Sequence, residues 1–326
     1  MNVIEKISVV MCTYNGEKYI RQQLDSILQQ TYPIHEIIIN DDISTDKTVD
    51  IIKEYMIRHD NIHLFVNSKR LGAHPNFMVA LEKASGNYIA ISDQDDIWEL
   101  TKIEKQIACI KGYTLCFSLS RAFGDGVEAY TECRVPNTNV FRLLFYPVIP
   151  GHAMLFERSV LSHIPKTDYV VYDLLLALAA NLFGGIVACP EVLNLHRRHN
   201  SAFSYSKPKN YNKSIFNVFN YICSGITGYF QKRDKIRRHF SDEQGQNCII
   251  LYAGTNHCVT KAYLDELLKD ALLFSQCMFK GSFSSILEAS RICFKRRNEI
   301  FYAKTKDNTT LKIRALLWPL LCSEYY

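Results

Sequence analysis

Short apolar runs alternate with helical stripes through the first hundred residues. Ile7-Ser8-Val9-Val10-Met11 is a β-rich run that ends in Cys12-Thr13-Tyr14-Asn15-Gly16, which has turn chemistry. Tyr19-Ile20, Leu24 and Ile27-Leu28 then recur at the spacing of one helix face. Ile37-Ile38-Ile39 predicts a second buried strand, ending in Asn40-Asp41-Asp42. Ser44-Thr45-Asp46 offers capping oxygens to a helix carrying Val49, Ile52 and Met56. Ile62 to Val66 predicts a third strand, Pro75 a helix start, and Gly86 the cap at that helix's end. Tyr88 to Ile91 is the fourth strand. Strands alternating with helices predict a parallel sheet with helices on both faces.

Ligands of such sheets gather outside the carboxyl ends of the strands. Three polar clusters fall there: Thr13-Tyr14-Asn15, Asp41-Asp42 and Asp93-Gln94-Asp95-Asp96, the last followed by Ile97-Trp98. Three carboxylates within four residues repel one another, and each resists ionising unless a cation or hydrogen-bond donors offset the charge. A divalent metal at the strand end would do so, since hard cations prefer oxygen ligands. A solvated acidic turn is the alternative, and Asp41-Asp42 also fits a turn with a helix cap.

The middle of the chain is less regular. Leu115 to Phe123 and Met154 to Phe156 read as strands, and Gly124 to Pro150 as a loop that fits either an acceptor-contacting lid or an inert surface. His152 reads as a structural histidine or a ligand contact. Tyr172-Asp173-Leu174-Leu175 opens an apolar helix with an acid, favourable near a helix N-terminus whatever its function. Ser206 to Asn212, with Pro208, reads as a linker that divides residues 1–205 from a basic region of helical periodicity over 206–326. There Leu264, Leu267-Leu268 and Ala271-Leu272 form one stripe, while Lys232-Arg233, Lys235, Arg237-Arg238, Lys295-Arg296-Arg297, Lys312, Arg314 and Trp318 mix basic and aromatic character. Such helices fit an anionic membrane surface or a small helical domain with a solvated face.

Composition narrows the classes. The chain has 326 residues, 48% hydrophobic and 22% charged, which is ordinary for a folded protein of about two units. Residues 1–200 carry a net −4 and residues 201–326 a net +9, so the two parts are expected to meet different partners. Eleven cysteines lack zinc or redox spacing, which predicts free thiols in a cytoplasmic chain. No signal peptide is expected ahead of the first strand, because Glu5 and Lys6 interrupt the N-terminus. The uncharged, apolar run Leu174 to Cys189 is too short and too polar for a comfortable membrane span. The positive charge comes without a nucleic-acid reader motif, so no nucleic-acid partner is expected.

Taken together, S-V-V-M-C-T-Y-N-G, I-I-I-N-D-D-I-S-T-D and G-N-Y-I-A-I-S-D-Q-D-D-I-W resemble the family 2 glycosyltransferases, and the D-Q-D-D-I-W form resembles their rhamnosyltransferase-like branch. The resemblance covers residues 5 to about 205. It implies a GT-A fold, a Rossmann-like mixed but mainly parallel sheet flanked by helices, with the mainly helical region as an extension. It also implies an inverting hexosyltransferase that uses Mg²⁺ or Mn²⁺ and a nucleotide-diphosphate sugar. Carried over by position, Thr13, Tyr14, Asn15, Asp41, Asp42, Asp93, Asp96, Trp98 and Arg197 would bind the donor. Asp95, Asp93 and His199 would hold the metal, and Asp173 would be the catalytic base. The acceptor would be a hydroxyl of a surface polysaccharide or lipid-linked glycan, met by a cytoplasmic enzyme peripheral to the membrane. The family's Pro after the Trp is replaced by Glu99-Leu100-Thr101, its L-Y-R-Q-H-G-N by Leu195-His196-Arg197-Arg198-His199-Asn200-Ser201, and its H-D-W-W-L-A by Tyr172-Asp173-Leu174-Leu175-Leu176-Ala177. Two other classes remain. A nucleotidyltransferase would want a Gly-rich phosphate loop that Cys12 to Gly16 does not supply, and a non-catalytic membrane-associated scaffold would have no use for the carboxylates.

Overall fold

The computed structural model describes residues 4–124, 138, 143, 149–164, 171–199, 261–300 and 309–321. The linker over 206–212, the basic cluster over 232–238 and most of the 124–150 loop lie outside these residues. Two compact units form, one mainly from residues 1–136, 149–164 and 171–205, the other mainly from 206–326.

The first unit is built on an eight-stranded sheet. Its strands are β1 (Ile7–Thr13), β2 (Glu36–Asp41), β3 (Ile62–Val66), β4 (Tyr88–Ser92), β5 (Ile97–Trp98), β6 (Leu115–Phe123), β7 (Met154–Glu157) and β8 (Ile186–Arg197), in the order β3-β2-β1-β4-β7-β6-β8-β5. β3, β2, β1 and β4 run parallel, β7 is antiparallel to β4 and β6, β8 is parallel to β6, and β5 is antiparallel to β8. β1, β2 and β4 follow their apolar runs, because a parallel strand covered on both faces reads as a near-continuous apolar run, whereas β3, at the sheet edge, is largely exposed beyond Ile62. Ile7, Val9 and Met11 pack with Ile37, Ile39 and Ala90 against α1 (Ile20–Leu28) and α2 (Thr48–Met56). The alternate positions Val10, Ile38 and Ile91 are buried too. α3 (Ala73–Leu81), α4 (Lys102–Cys109) and α5 (Tyr172–Phe183) complete the helices.

Two sequence expectations change. Pro75 does sit in the first turn of α3, but that helix ends at Leu81, with Glu82 as its cap in ordinary right-handed geometry, so Gly86 is not the cap. Gly86 instead lies where β1 crosses close by. A Cβ there would stand 2.7 Å from the Lys6 carbonyl and 2.7 Å from Ser8 Oγ, and the Gly86 N–H donates to Ser8 Oγ. Ser8 in turn donates to the buried Glu36 carboxylate, which also accepts from Ser85 N and Oγ. The second change is β8. Its Pro190, Glu191 and Asn194 hide a strand that pairs with β6 along nearly its full length, with a bulge near Leu119.

The second unit is helical: α6 (Lys261–Lys280), α7 (Phe283–Lys295), a short α8 (Arg297–Ile300) and α9 (Thr309–Leu321). Gly281 takes a left-handed φ of 60° between the first two, and Ser282 caps α7 by accepting from Ser285 N. The basic positions are partly spent here. Lys295 pairs with Glu266 and Asp270, Arg296 donates to Asp270 at 2.7 Å, and Trp318 is fully buried. Among the described residues no helix is long and apolar enough to cross a membrane.

Gly86→Ala should lower the stability of the first unit by about 1–3 kcal/mol, the usual cost of overpacking a site bounded by backbone, measurable as a lower denaturant midpoint at unchanged slope.

Candidate functional site

The polar clusters meet at one rim of the sheet because β1, β2 and β4 are parallel neighbours and end together. Thr13 closes β1 and donates Oγ1 to Asp41 Oδ2 at 2.7 Å. Asp41 also accepts from Ser44 N and Oγ. Asp42 accepts from Leu71 N at 2.7 Å, Gly72 N at 2.8 Å and Asn67 Nδ2 at 2.9 Å. Below it, Asn40, Asn67 and Asn76 share their amides in a buried network. Both carboxylates are therefore buried and satisfied by loops, and they hold Ile43 at a φ of 61°, a strained conformation for a β-branched residue. The loops so fixed bring the Arg70 guanidinium 3.7 Å over the Tyr14 ring. Asn15, beside it, is exposed and accepts from Thr45 N through Oδ1.

The turn after β4 is held by its own glutamine. Gln94 accepts from Tyr14 N at 3.0 Å and donates to Tyr14 O at 3.1 Å, which locks the β1 and β4 turns together. Gly16 is needed beneath it, since a Cβ there would come within 2.3 Å of Gln94 Oε1.

The three carboxylates of this turn find three different environments. Asp96 is fully buried and accepts from Asn194 Nδ2 at 2.8 Å and Arg197 N at 2.9 Å. Asp95 lies 2.7 Å from His199 Nε2, with both side chains still reaching solvent. Burial, and then the Asp93 charge, push the Asp95 carboxyl up to about 6, which His199 offsets only in part. Asp93, a third exposed, meets His152 Nδ1 at 3.1 Å. Burial works against the Asp93 carboxylate, but the hydrogen bond and charge of His152 outweigh it and hold its pKa below the usual range.

β8 and α5 supply the remaining parts. Arg197 donates Nε to the Asp95 carbonyl at 2.7 Å and Nη2 to Gln22 at 2.6 Å, with its guanidinium between the Tyr19 and Phe123 rings. Its hydrogen bonds thus brace the turn. Asp173 stands in the first turn of α5 and accepts from Leu174 N. Burial, with the Asp93 charge adding to it, pushes the Asp173 carboxyl up to about 6. The neighbouring Tyr172 stacks on Phe77 at 4.3 Å, and its hydroxyl fits against Gly151, where a Cβ would collide at 2.2 Å. Trp98 turns into the core instead, 3% exposed, with the Lys102 ammonium 4.6 Å from its ring.

The sequence reading left His152 open between a structural histidine and a ligand contact, and gave Lys102 no role. His152 packs its ring against His196 at 4.6 Å, and Asp93, His152 and His196 each offer a ligand atom within 4.8 Å of the others. Lys102 is fully buried, donates to the His152 carbonyl at 2.7 Å, and is pulled down to about 7 by burial. His152 meets an acid 59 residues away and Lys102 a carbonyl 50 residues away, separations that leave no spacing signal. The Gln of D-Q-D-D is the exception, visible as an amide fixed in a turn. The donor set fits a cation. Asp95 and His199 present a carboxylate and an imidazole to solvent, beside like charges that raise the cost of ionisation.

A family model described as Glycosyl transferase family 2 matches residues 8–164. A UDP-Glc:alpha-D-GlcNAc-diphosphoundecaprenol beta-1,3-glucosyltransferase, WfaP of Escherichia coli, is 34% identical over 52% of this chain and 69% of its own length. The dTDP-rhamnosyl transferase RfbG of Shigella flexneri is 38% identical over 48% of this chain and 56% of its own. Among solved structures, S. aureus TarS 1-349 in complex with UDP-GlcNAc superposes with a TM-score of 0.56 at 17% identity, covering 98% of this chain and 90% of that one. The matches span from under half to about two thirds of the length of such curated relatives.

The two adjacent acids should separate under mutation. Asp96→Ala leaves Asn194, Arg197 N and the nearby Lys102 charge without their buried acceptor and should cost about 3 kcal/mol or more, read by chemical denaturation. Asp95→Ala relieves repulsion at a solvent-reaching position and should change stability by less than about 1 kcal/mol in the same measurement.

Proposed function

We propose, from the premise that the chain belongs to glycosyl transferase family 2 and has its GT-A fold, that it is an inverting, metal-dependent hexosyltransferase using a nucleotide-diphosphate sugar. The observation that carries this reading is the Asp95–His199 pair, 2.7 Å apart at the rim where Asp93, Asp96 and Asp173 also gather. Asp95 and His199 would hold a divalent cation, Mg²⁺ or Mn²⁺, while Asp93 beside them faces the donor. When bound, that ion supplies electrostatic stabilisation of a departing diphosphate.

The chain's own residues have distinct tasks in this account. Tyr14, with Arg70 over its ring, and Asn15 form the surface for the base and ribose. Asp41, Asp42 and Thr13 act mainly by fixing the loops that carry that surface. Asp93 meets the donor, while Asp96, Arg197 and Trp98 hold the turn in which Asp93 and Asp95 sit. Asp173, as carboxylate, accepts the proton of the acceptor hydroxyl while that oxygen attacks the anomeric carbon. One attack from the face opposite the leaving group inverts the stereochemistry, by the logic that separates inverting from retaining glycosidases. Glucosyl and rhamnosyl relatives support a hexose without choosing one, and the former supports a lipid-linked glycan acceptor. Residues 1–205 would be the catalytic domain. The basic, helical remainder would make a peripheral contact with an anionic membrane on its cytoplasmic face.

The test is a panel of nucleotide sugars, including UDP-glucose and dTDP-rhamnose, with Mn²⁺ and with chelator. Metal-dependent release of nucleoside diphosphate is expected. Release of pyrophosphate from a nucleoside triphosphate and a sugar 1-phosphate, run in parallel, would mark a nucleotidyltransferase, and absence of turnover in both assays would favour a scaffold.

Asp173 adds a pH prediction. A base with its pKa near 6 is protonated and idle in acid, so kcat/KM for transfer should rise with pH and be half-maximal near pH 6. Asp173→Asn should lower kcat by about 100-fold or more while leaving donor affinity within about threefold. An acid limb that persisted in a residually active Asp173→Asn variant would assign it to another group.

A further inference from the structure

We propose that His152 is a positioning residue for Asp93. Its imidazole holds the first carboxylate of the acidic turn in the orientation that meets the donor, so that Asp95 and His199 remain for the cation. This inference rests on the donor-binding role proposed above for Asp93.

The geometry of the imidazole supports it. Asp93 faces repulsion from Asp95 and Asp96, yet Asp96 is held by Asn194 and the Arg197 N–H, and Asp95 by His199. Among the described residues the hydrogen-bond partner of the Asp93 carboxylate is His152 Nδ1, at 3.1 Å. That ring has almost no freedom. Nε2 lies 3.0 Å from Ser120 Oγ on β6, the His196 ring covers it at 4.6 Å, and the side chain is 5% exposed. The main chain is pinned as well. Lys102 Nζ donates to the His152 carbonyl at 2.7 Å, and Gln106 Nε2 donates to the Ala153 carbonyl at 2.8 Å, both from one face of α4. A strut fixed at both ends transmits position.

With Asp93 accepting at Nδ1 and Ser120 at hydrogen-bond distance from Nε2, both nitrogens of His152 are already engaged. Lys102 lies close enough to raise the cost of a second divalent ion at Asp93, His152 and His196. Asp93 and His152 are therefore read as a hydrogen-bonded pair covered by the His196 ring, and not as part of a further metal site. His196, whose ring covers His152, stands at the Tyr position of the L-Y-R-Q-H-G-N pattern.

The test is titration calorimetry of UDP, GDP and dTDP, each with Mn²⁺, into the full chain, with melting temperature as the control on folding. Asn and Gln at position 152 separate the two ring nitrogens, because an Asn amide N–H falls near Nδ1 and a Gln amide near Nε2. His152→Asn should bind within about threefold of the unmodified chain, whereas His152→Gln and His152→Ala should bind about tenfold more weakly. In an Asp93→Asn background, His152→Ala should add less than about a twofold further loss. Mn²⁺ binding without nucleotide, followed by electron paramagnetic resonance, should be the same in His152→Ala as in the parent. Equal losses for His152→Asn and His152→Gln, additive losses with Asp93→Asn, or loss of Mn²⁺ binding would each overturn the proposal. If the unmodified chain bound none of the three nucleotides, the donor-binding reading would fail and take the proposal with it.

Discussion

Asp93, Asp95, Asp96 and Asp173 bring like charges to one rim of the sheet, and their repulsion has to be offset residue by residue. Each is offset differently. Asp96 is buried and neutralised by fixed donors from β8, Asp93 is held by an imidazole, and Asp95 shares His199 with solvent. Asp173 is left half-buried, with the N–H of Leu174 donating to it. The result is a gradient from structural to chemically available carboxylates. Among the carboxylates that reach solvent, Asp95 and Asp173 have their pKa pushed up, both to about 6, while His152 holds that of Asp93 below the usual range. Functional sites collect such shifts because a group that the fold leaves under-compensated is free to meet a ligand.

Fold and site are joined by short polar bridges between consecutive turns. Gln94 ties the β4 turn to the β1 turn, and the Asn40–Asn67–Asn76 network fixes the loop that Asp42 accepts from. Arg197 ties the end of β8 to the acidic turn and to α1 through Gln22. Buried polar networks of this kind rigidify only when each member is satisfied. Strain at Ile43 and the close approach at Gly16 follow from this fixing of loops.

Much of this architecture was legible in the chain. The four parallel strands follow from Ile7–Met11, Ile37–Ile39, Ile62–Val66 and Tyr88–Ile91; three of them are apolar because they are buried on both faces, and the edge strand β3 shows as a short β-rich run despite its exposure. The family resemblance, carried by the order of the T-Y-N, N-D-D and D-Q-D-D clusters, agrees with the family model and with WfaP and RfbG. β8 was not legible, since its Pro, Glu and Asn break the period that marks a strand, and β5 is only two residues long. Gly86 was misread because glycine after a helix fits both a cap and a close crossing, and only tertiary contact separates them. The partners of His152, His196 and Lys102 were hidden for another reason. Their meaning lies in contacts across fifty residues or more, which no local pattern encodes.

The central claim is that this rim exists to hold a cation and, through it, an activated sugar. Crystals of the full chain grown with Mn²⁺ and a nucleoside diphosphate that binds it, measured at the manganese absorption edge, would test this most directly. The account predicts an anomalous peak within coordination distance of Asp95 and His199, with the diphosphate beside it and the base against Tyr14. A manganese peak and nucleotide bound elsewhere, with Asp95 and His199 still paired to each other alone, would contradict it.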